Sequence, residues 1–141
     1  METDGAVRSL GIDFGEKRIG LAISDPAGRV AVPLTTLERR NDRSAARQIA
    51  EIARSEGVGR LVLGEPVGLD GVRGPEAERI RRFGRRLEEV SGLPLELVDE
   101  TLTSVEATRR LHQAGIGTRW EPGRVDAVAA QILLQEVLDR Q

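Results

Sequence analysis

Three acidic residues stand where acids are hard to accommodate. Asp13 lies in Leu10-Gly11-Ile12-Asp13-Phe14-Gly15, where alternating Leu10, Ile12 and Phe14 read as a β-strand. Strand interiors are depleted in Asp. Alternation sends Asp13 to the face opposite Ile12 and Phe14, beside Gly11, and small neighbours leave room for a ligand. Asp126 begins Asp126-Ala127-Val128-Ala129-Ala130-Gln131-Ile132-Leu133-Leu134, a helix apolar on almost every side. Such a helix packs deep in a domain, where a charge is costly unless it is paired or bound to a metal. The plainer alternative is a first-turn acid favoured by the helix dipole. Asp99 and Glu100 end another apolar segment and point to opposite faces, so one of them serves a site. Glu100 is the candidate, because Thr103 with Glu106 already supplies a capping box for the next helix.

Three carboxylates suit a hard cation, Mg²⁺ or Mn²⁺. Two such ions about 4 Å apart can activate a water and stabilise the leaving oxygen in phosphodiester hydrolysis, so the protein needs no nucleophile of its own. Other chemistries have little to work with. There is no Cys, His112 is the single histidine, and no Gly-x-Ser-x-Gly elbow accompanies it.

The elements that must position these acids can be read from periodicity. Residues 7–14, 18–24 and 29–37 read as three strands of a meander, with Asp25-Pro26-Ala27-Gly28 as a turn. Residues 43–56 read as a helix with Ala46, Ile49, Ala50 and Ala53 on one stripe and Gly57 as its stop. A buried-type strand follows at 60–64, then a Gly-rich loop from Pro66 to Gly74. A helix over 75–91 has Ile80, Phe83, Leu87 and Val90 as its buried stripe. A strand over 94–99, a helix from Thr103 to His112 or Ala114, and a last helix from near Gly123 complete the order. Strands four and five, joined through a helix, should be parallel with a right-handed crossover. The fold class is α/β: a mixed five-stranded sheet flanked by helices, in one domain over 1–141. Sites in such sheets collect at the C-terminal ends of parallel strands.

Composition narrows the setting. At 141 residues, 39% hydrophobic and 31% charged, the chain can bury a core without disulfides. The start, METDGAVRSL, lacks the apolar stretch of a secretory signal, and no apolar run approaches a membrane span. The expectation is a cytoplasmic protein with no membrane partner. The net charge of −2 is not that of a globally basic nucleic-acid binder, so any such contact has to be focused locally. With only Phe14, Phe83 and Trp120 as aromatics, a base-stacking sheet is disfavoured. Lys17 is the only lysine among 21 basic residues, in the turn after Asp13, where it could contact a substrate phosphate. Arg124, just before Asp126, could do likewise. Arg79, Arg82 and Arg86 share a helical face that a nucleic-acid backbone would attract, although nearby Glu residues suit an ordinary solvated face.

The segments Gly11-Ile12-Asp13-Phe14-Gly15 through Gly20, Leu63-Gly64 through Asp70-Gly71, Asp99-Glu100-Thr101-Leu102-Thr103-Ser104-Val105-Glu106-Ala107 and Val125-Asp126-Ala127-Val128-Ala129-Ala130 resemble the YqgF/RuvX family. These are Holliday-junction-resolvase-like nucleases with an RNase H-like fold, and the similarity runs in order along essentially the whole chain. The resemblance implies Asp13, Glu100 and Asp126 as metal ligands and catalytic acids. It implies 5′-end maturation of pre-16S ribosomal RNA, with cleavage of four-way DNA junctions as the competing assignment. Junction cutting would call for a homodimer, since two symmetric strands must be cut. Two positions depart from the family pattern. Thr101 replaces the usual Arg after the Asp-Glu pair, and Glu65 stands where an apolar residue is usual. More distant resolvases of this fold carry an acid at that strand end, which makes Glu65 a candidate fourth ligand.

Two rival readings stay open. The Gly11–Gly15 segment also resembles the first phosphate loop of actin-like ATPases and sugar kinases, which need two such domains. A nucleic-acid or ribosome-assembly binding module with relic acids is the non-enzymatic alternative.

Overall fold

The computed structural model describes residues 7–65, 74–99 and 122–141, and of residues 122–125 only the backbone. Strands β1 (Ser9–Phe14), β2 (Arg18–Ser24) and β3 (Ala31–Glu38) form the expected antiparallel meander. Helix α1 (Asp42–Ser55), strand β4 (Arg60–Glu65), helix α2 (Pro75–Ser91), strand β5 (Leu95–Asp99) and helix α3 (Pro122–Asp139) follow. The sheet order is β3-β2-β1-β4-β5, with β1, β4 and β5 mutually parallel. The helix expected from Thr103 lies outside the described residues. Among the described residues no helix is long and apolar enough to cross a membrane.

Strand alternation divides the side chains between two cores. One face carries Leu10, Ile12 and Phe14 of β1, Ile19, Leu21 and Ile23 of β2, and Leu61 and Leu63 of β4. It packs against Ala46, Ile49 and Ala53 of α1 and Ile80, Phe83 and Leu87 of α2. The other face carries Ala22, Ala31, Val62 and Val98 and packs against Ala130, Leu133, Leu134, Val137 and Leu138 of α3. The β1–β2 part of that second face is built from small residues, so α3 can lie close to the strands.

Two expectations need correction. Val90 is 46% exposed, and the buried stripe of α2 is Ala77, Ile80, Phe83, Gly84 and Leu87. At roughly 100° per residue, Val90 falls about 80° round the helix from the centre of that stripe. Strand β3 begins at Ala31 rather than at residue 29, because Asp25 captures the two preceding residues. Its Oδ1 accepts the backbone N–H groups of Arg29 at 2.8 Å and Val30 at 3.1 Å. An Asx turn closed in this way competes with the ladder for those donors.

The same bonds hold the Asp25 carboxyl below its ordinary pKa of 3.8, the N–H of Val30 contributing most and that of Arg29 next. A depressed folded-state pKa gives stability that is present above the unfolded value and lost as pH falls through the folded one. Asp25→Ala should therefore unfold at lower urea concentration than wild type at pH 7, and the two midpoints should converge as pH drops below 3.8. Urea midpoints measured across that range check this.

Candidate active site

Asp13 and Gly20 are direct partners in the antiparallel β1–β2 ladder, and Gly11 pairs with Ala22 one step away. Directly opposite residues on such a ladder share a face, with Cβ positions about 4.5–5.5 Å apart. Ala22 belongs to the α3-side core, so Asp13 and Gly20 point towards α3 as well. Helix α3 rests on this pair. A Cβ built on Gly20 would lie 2.0 Å from the carbonyl oxygen of Asp126 and 2.8 Å from the nitrogen of Ala127. One built on Gly11 would lie 2.8 Å from Cβ of Leu134 and 3.0 Å from the carbonyl oxygen of Ala130. Residues 126, 130 and 134 form one i, i+4 row of the helix, and that row sits on strand backbone.

Polar bonds fix the helix from the other side. Gln135 accepts the N–H of Ala31 at 2.8 Å, and Gln131 donates to the carbonyl of the same residue at 3.1 Å. The result brings Asp126 over Gly20, beside Asp13. Nε of Arg18 donates to Oδ2 of Asp126 at 2.8 Å. Arg18 escaped the sequence reading because it lies 108 residues from Asp126 in the chain. A signal was present, however: Arg18 and Gly20 are two apart on one strand and so share a face.

The C-terminal ends of β1, β4 and β5 meet at one edge, which also brings Glu65 opposite Asp99. Glu65 continues the Leu61–Leu63 face towards α2. It is 3% exposed, and Nε of Arg81 on α2 donates to its Oε2. This bond, with the charge of Glu65, holds the Arg81 guanidinium above its ordinary pKa. Lys17 is exposed in the β1–β2 turn. Arg39 braces that turn by donating to the carbonyls of Gly15 at 3.1 Å and Glu16 at 2.6 Å, with its guanidinium 5.0 Å over the Phe14 ring. Arg79 lies 5.6 Å over the same ring, while Arg82 and Arg86 are exposed. Glu100, Thr101 and the side chain of Arg124 lie outside the described residues.

The donor chemistry fits a hard divalent cation. Two carboxylates share one face beside a glycine that presents no side chain, and they bring only oxygen. Among the described residues no three potential ligands gather at one point.

A family model for RuvX, described as Holliday junction resolvase, matches residues 7–140. The chain belongs to the RuvX family. RuvX-type relatives extend over nearly its full length. A protein of Anaeromyxobacter sp. (strain K), named "Putative pre-16S rRNA nuclease", is 46% identical over 135 residues, covering 96% of this chain and 98% of the relative. One of the same name from Moorella thermoacetica is 43% identical over 134 residues, covering 95% and 96%. Among solved structures, T. thermophilus RuvC in complex with Holliday junction substrate superposes with a TM-score of 0.57 at 13% identity, covering 95% of this chain and 94% of that one. The Fowlpox virus resolvase with substrate Holliday junction DNA gives 0.56 at 12% identity, covering 94% and 97%. At such low identity these likenesses establish the fold of this RuvX chain, which is RNase H-like.

The close approach at Gly20 makes a direct prediction. Gly20→Ala places a methyl group against backbone that cannot rotate away, so α3 has to move. Overpacking of this kind costs about 1–3 kcal/mol or more. Urea unfolding should show that loss, and an unchanged midpoint would mean that α3 does not rest on the ladder.

Proposed function

We propose that this chain is a metal-dependent nuclease that hydrolyses nucleic-acid phosphodiesters, working as a single RNase H-like domain over residues 1–141. The observation that carries the reading is that Asp13 pairs with Gly20 on the ladder while the backbone of Asp126 lies on the same glycine. Glu100 is the third acid of the proposal. Its place in the proposal rests on the sequence resemblance, since Glu100 lies outside the described residues. Asp99 is in register with Glu65 and is assigned to the other face. Glu65 would join as a fourth ligand only by sharing its carboxylate with Arg81 and reaching round the strand end from the α2 face to the face of Asp13 and Asp126.

When bound, a pair of Mg²⁺ or Mn²⁺ ions would supply an activated water and charge neutralisation at the leaving oxygen. The residues of the chain do the rest. Asp13 and Asp126 hold their oxygens on the α3 face of the sheet. The close contact of α3 with β1 and β2 keeps that arrangement rigid. Lys17, on a turn braced by Arg39, and Arg124, in the first turn of α3, are the residues proposed to contact substrate phosphates.

The substrate we favour is pre-16S ribosomal RNA, because relatives more than 40% identical over nearly their whole length are named for it, and we assign the cut to its 5′ end. The family description supports a second reading, cleavage of four-way DNA junctions, which would call for a homodimer because two symmetric strands must be cut. Purified protein incubated with labelled precursor RNA or a labelled four-way junction, with and without Mn²⁺, separates the two. The expected result is metal-dependent cleavage of the RNA, reduced about 100-fold or more in Asp126→Asn, given that the metal contributes several kcal/mol. Cleavage of the junction alone would favour the second reading. Equal activity in the variant, or no cleavage of either substrate, would remove the catalytic assignment.

A further inference from the structure

Asp126 is held twice. Its backbone is seated on Gly20, and its side chain is bonded by Arg18. Arg18 opens β2 two residues before Gly20, and its carbonyl accepts the N–H of Gly15 at 2.9 Å, which anchors it at the mouth of the β1–β2 turn. The guanidinium reaches Asp126 through Nε and engages Oδ2. A carboxylate has two oxygens and about four acceptor sites, so Oδ1 and its lone pairs are outside this bond. The side chains are 41% exposed for Arg18 and 21% for Asp126. A pair this open contributes little to folding stability. What it does fix is the direction in which the carboxylate points.

We infer that Arg18 is a positioning residue for the metal site: its Nε–H holds Oδ2 of Asp126 so that Oδ1 is presented beside Asp13. The inference rests on the reading of Asp13 and Asp126 as metal ligands. Partners that orient a ligand in this way raise metal affinity by fixing geometry. The positive charge of Arg18 acts in the opposite direction, since it repels a cation. The two effects are separable by substitution. Gln and Met carry stems of the same length as the first part of the Arg side chain. Only Gln ends in an N–H donor at the place of Nε, and neither is charged.

Mn²⁺ binding to the full chain, measured by titration calorimetry on wild type, Arg18→Met, Arg18→Gln and Asp126→Asn, tests the assignment. Thermal unfolding without metal establishes that each variant is folded. Arg18→Met should bind Mn²⁺ about 10–100-fold more weakly than wild type, while Arg18→Gln should stay within about threefold, because it keeps the donor. A fold-stabilising role alone would lower the melting temperature and leave the affinity of the folded protein unchanged. Affinity in Arg18→Met equal to or tighter than wild type would overturn the inference, as would equal losses in both variants. Loss of binding in Asp126→Asn shows that the underlying ligand reading stands even if the Arg18 assignment fails. Absence of Mn²⁺ binding to wild type would overturn both.

Discussion

The contact between the first turns of α3 and the β1–β2 ladder governs the rest of the molecule. A helix normally packs on a sheet through a layer of side chains. Here Gly11 and Gly20 remove that layer at two points, and the helix backbone at Asp126 and Ala130 comes down onto strand backbone. The approach has a consequence that no side-chain choice could supply. Asp13 stands on the ladder directly opposite Gly20, and Asp126 stands on the helix directly above it. Two carboxylates from residues more than a hundred positions apart are brought to one face by backbone geometry. Arg18 pairs with the Asp126 carboxylate at 2.8 Å.

The two faces of the sheet divide the labour. Towards α1 and α2, the strands present Leu, Ile and Phe in strict alternation, and the core is deep and apolar. Burying each such side chain contributes about 1.5–3 kcal/mol. Towards α3, β1 and β2 present Gly11, Asp13, Gly20 and Ala22, a surface that contributes little apolar area but admits close approach. Glu65, an acid on the apolar side, is buried with Arg81 bonded to it, as a charge in that setting requires.

Much of this was legible in the sequence. Alternation of Leu10, Ile12 and Phe14 gave the orientation of Asp13, and the parallel edge followed from the order of elements. Asp126 stood out because an acid in so apolar a helix needs a reason. The helix stripe failed at Val90, where the pattern continues but the packing surface has ended. The start of β3 was misread because Asp25 diverts two residues into a turn, a side-chain effect that hydrophobic periodicity does not register. Arg18 and Arg81 were missed for a different reason. Each looks like an ordinary surface arginine until tertiary structure places its carboxylate, and in a chain so rich in Arg neither stands out.

Everything proposed for the site depends on Asp13 and Asp126 together holding a cation on the α3 face of the sheet. Crystals of the protein soaked in Mn²⁺ and examined by anomalous diffraction address it most directly. The account predicts an anomalous peak within about 2–2.5 Å of a carboxylate oxygen of both Asp13 and Asp126, the coordination range of hard cations. A well-ordered site with no peak there, or an ion bound elsewhere while the two carboxylates point apart, would contradict it.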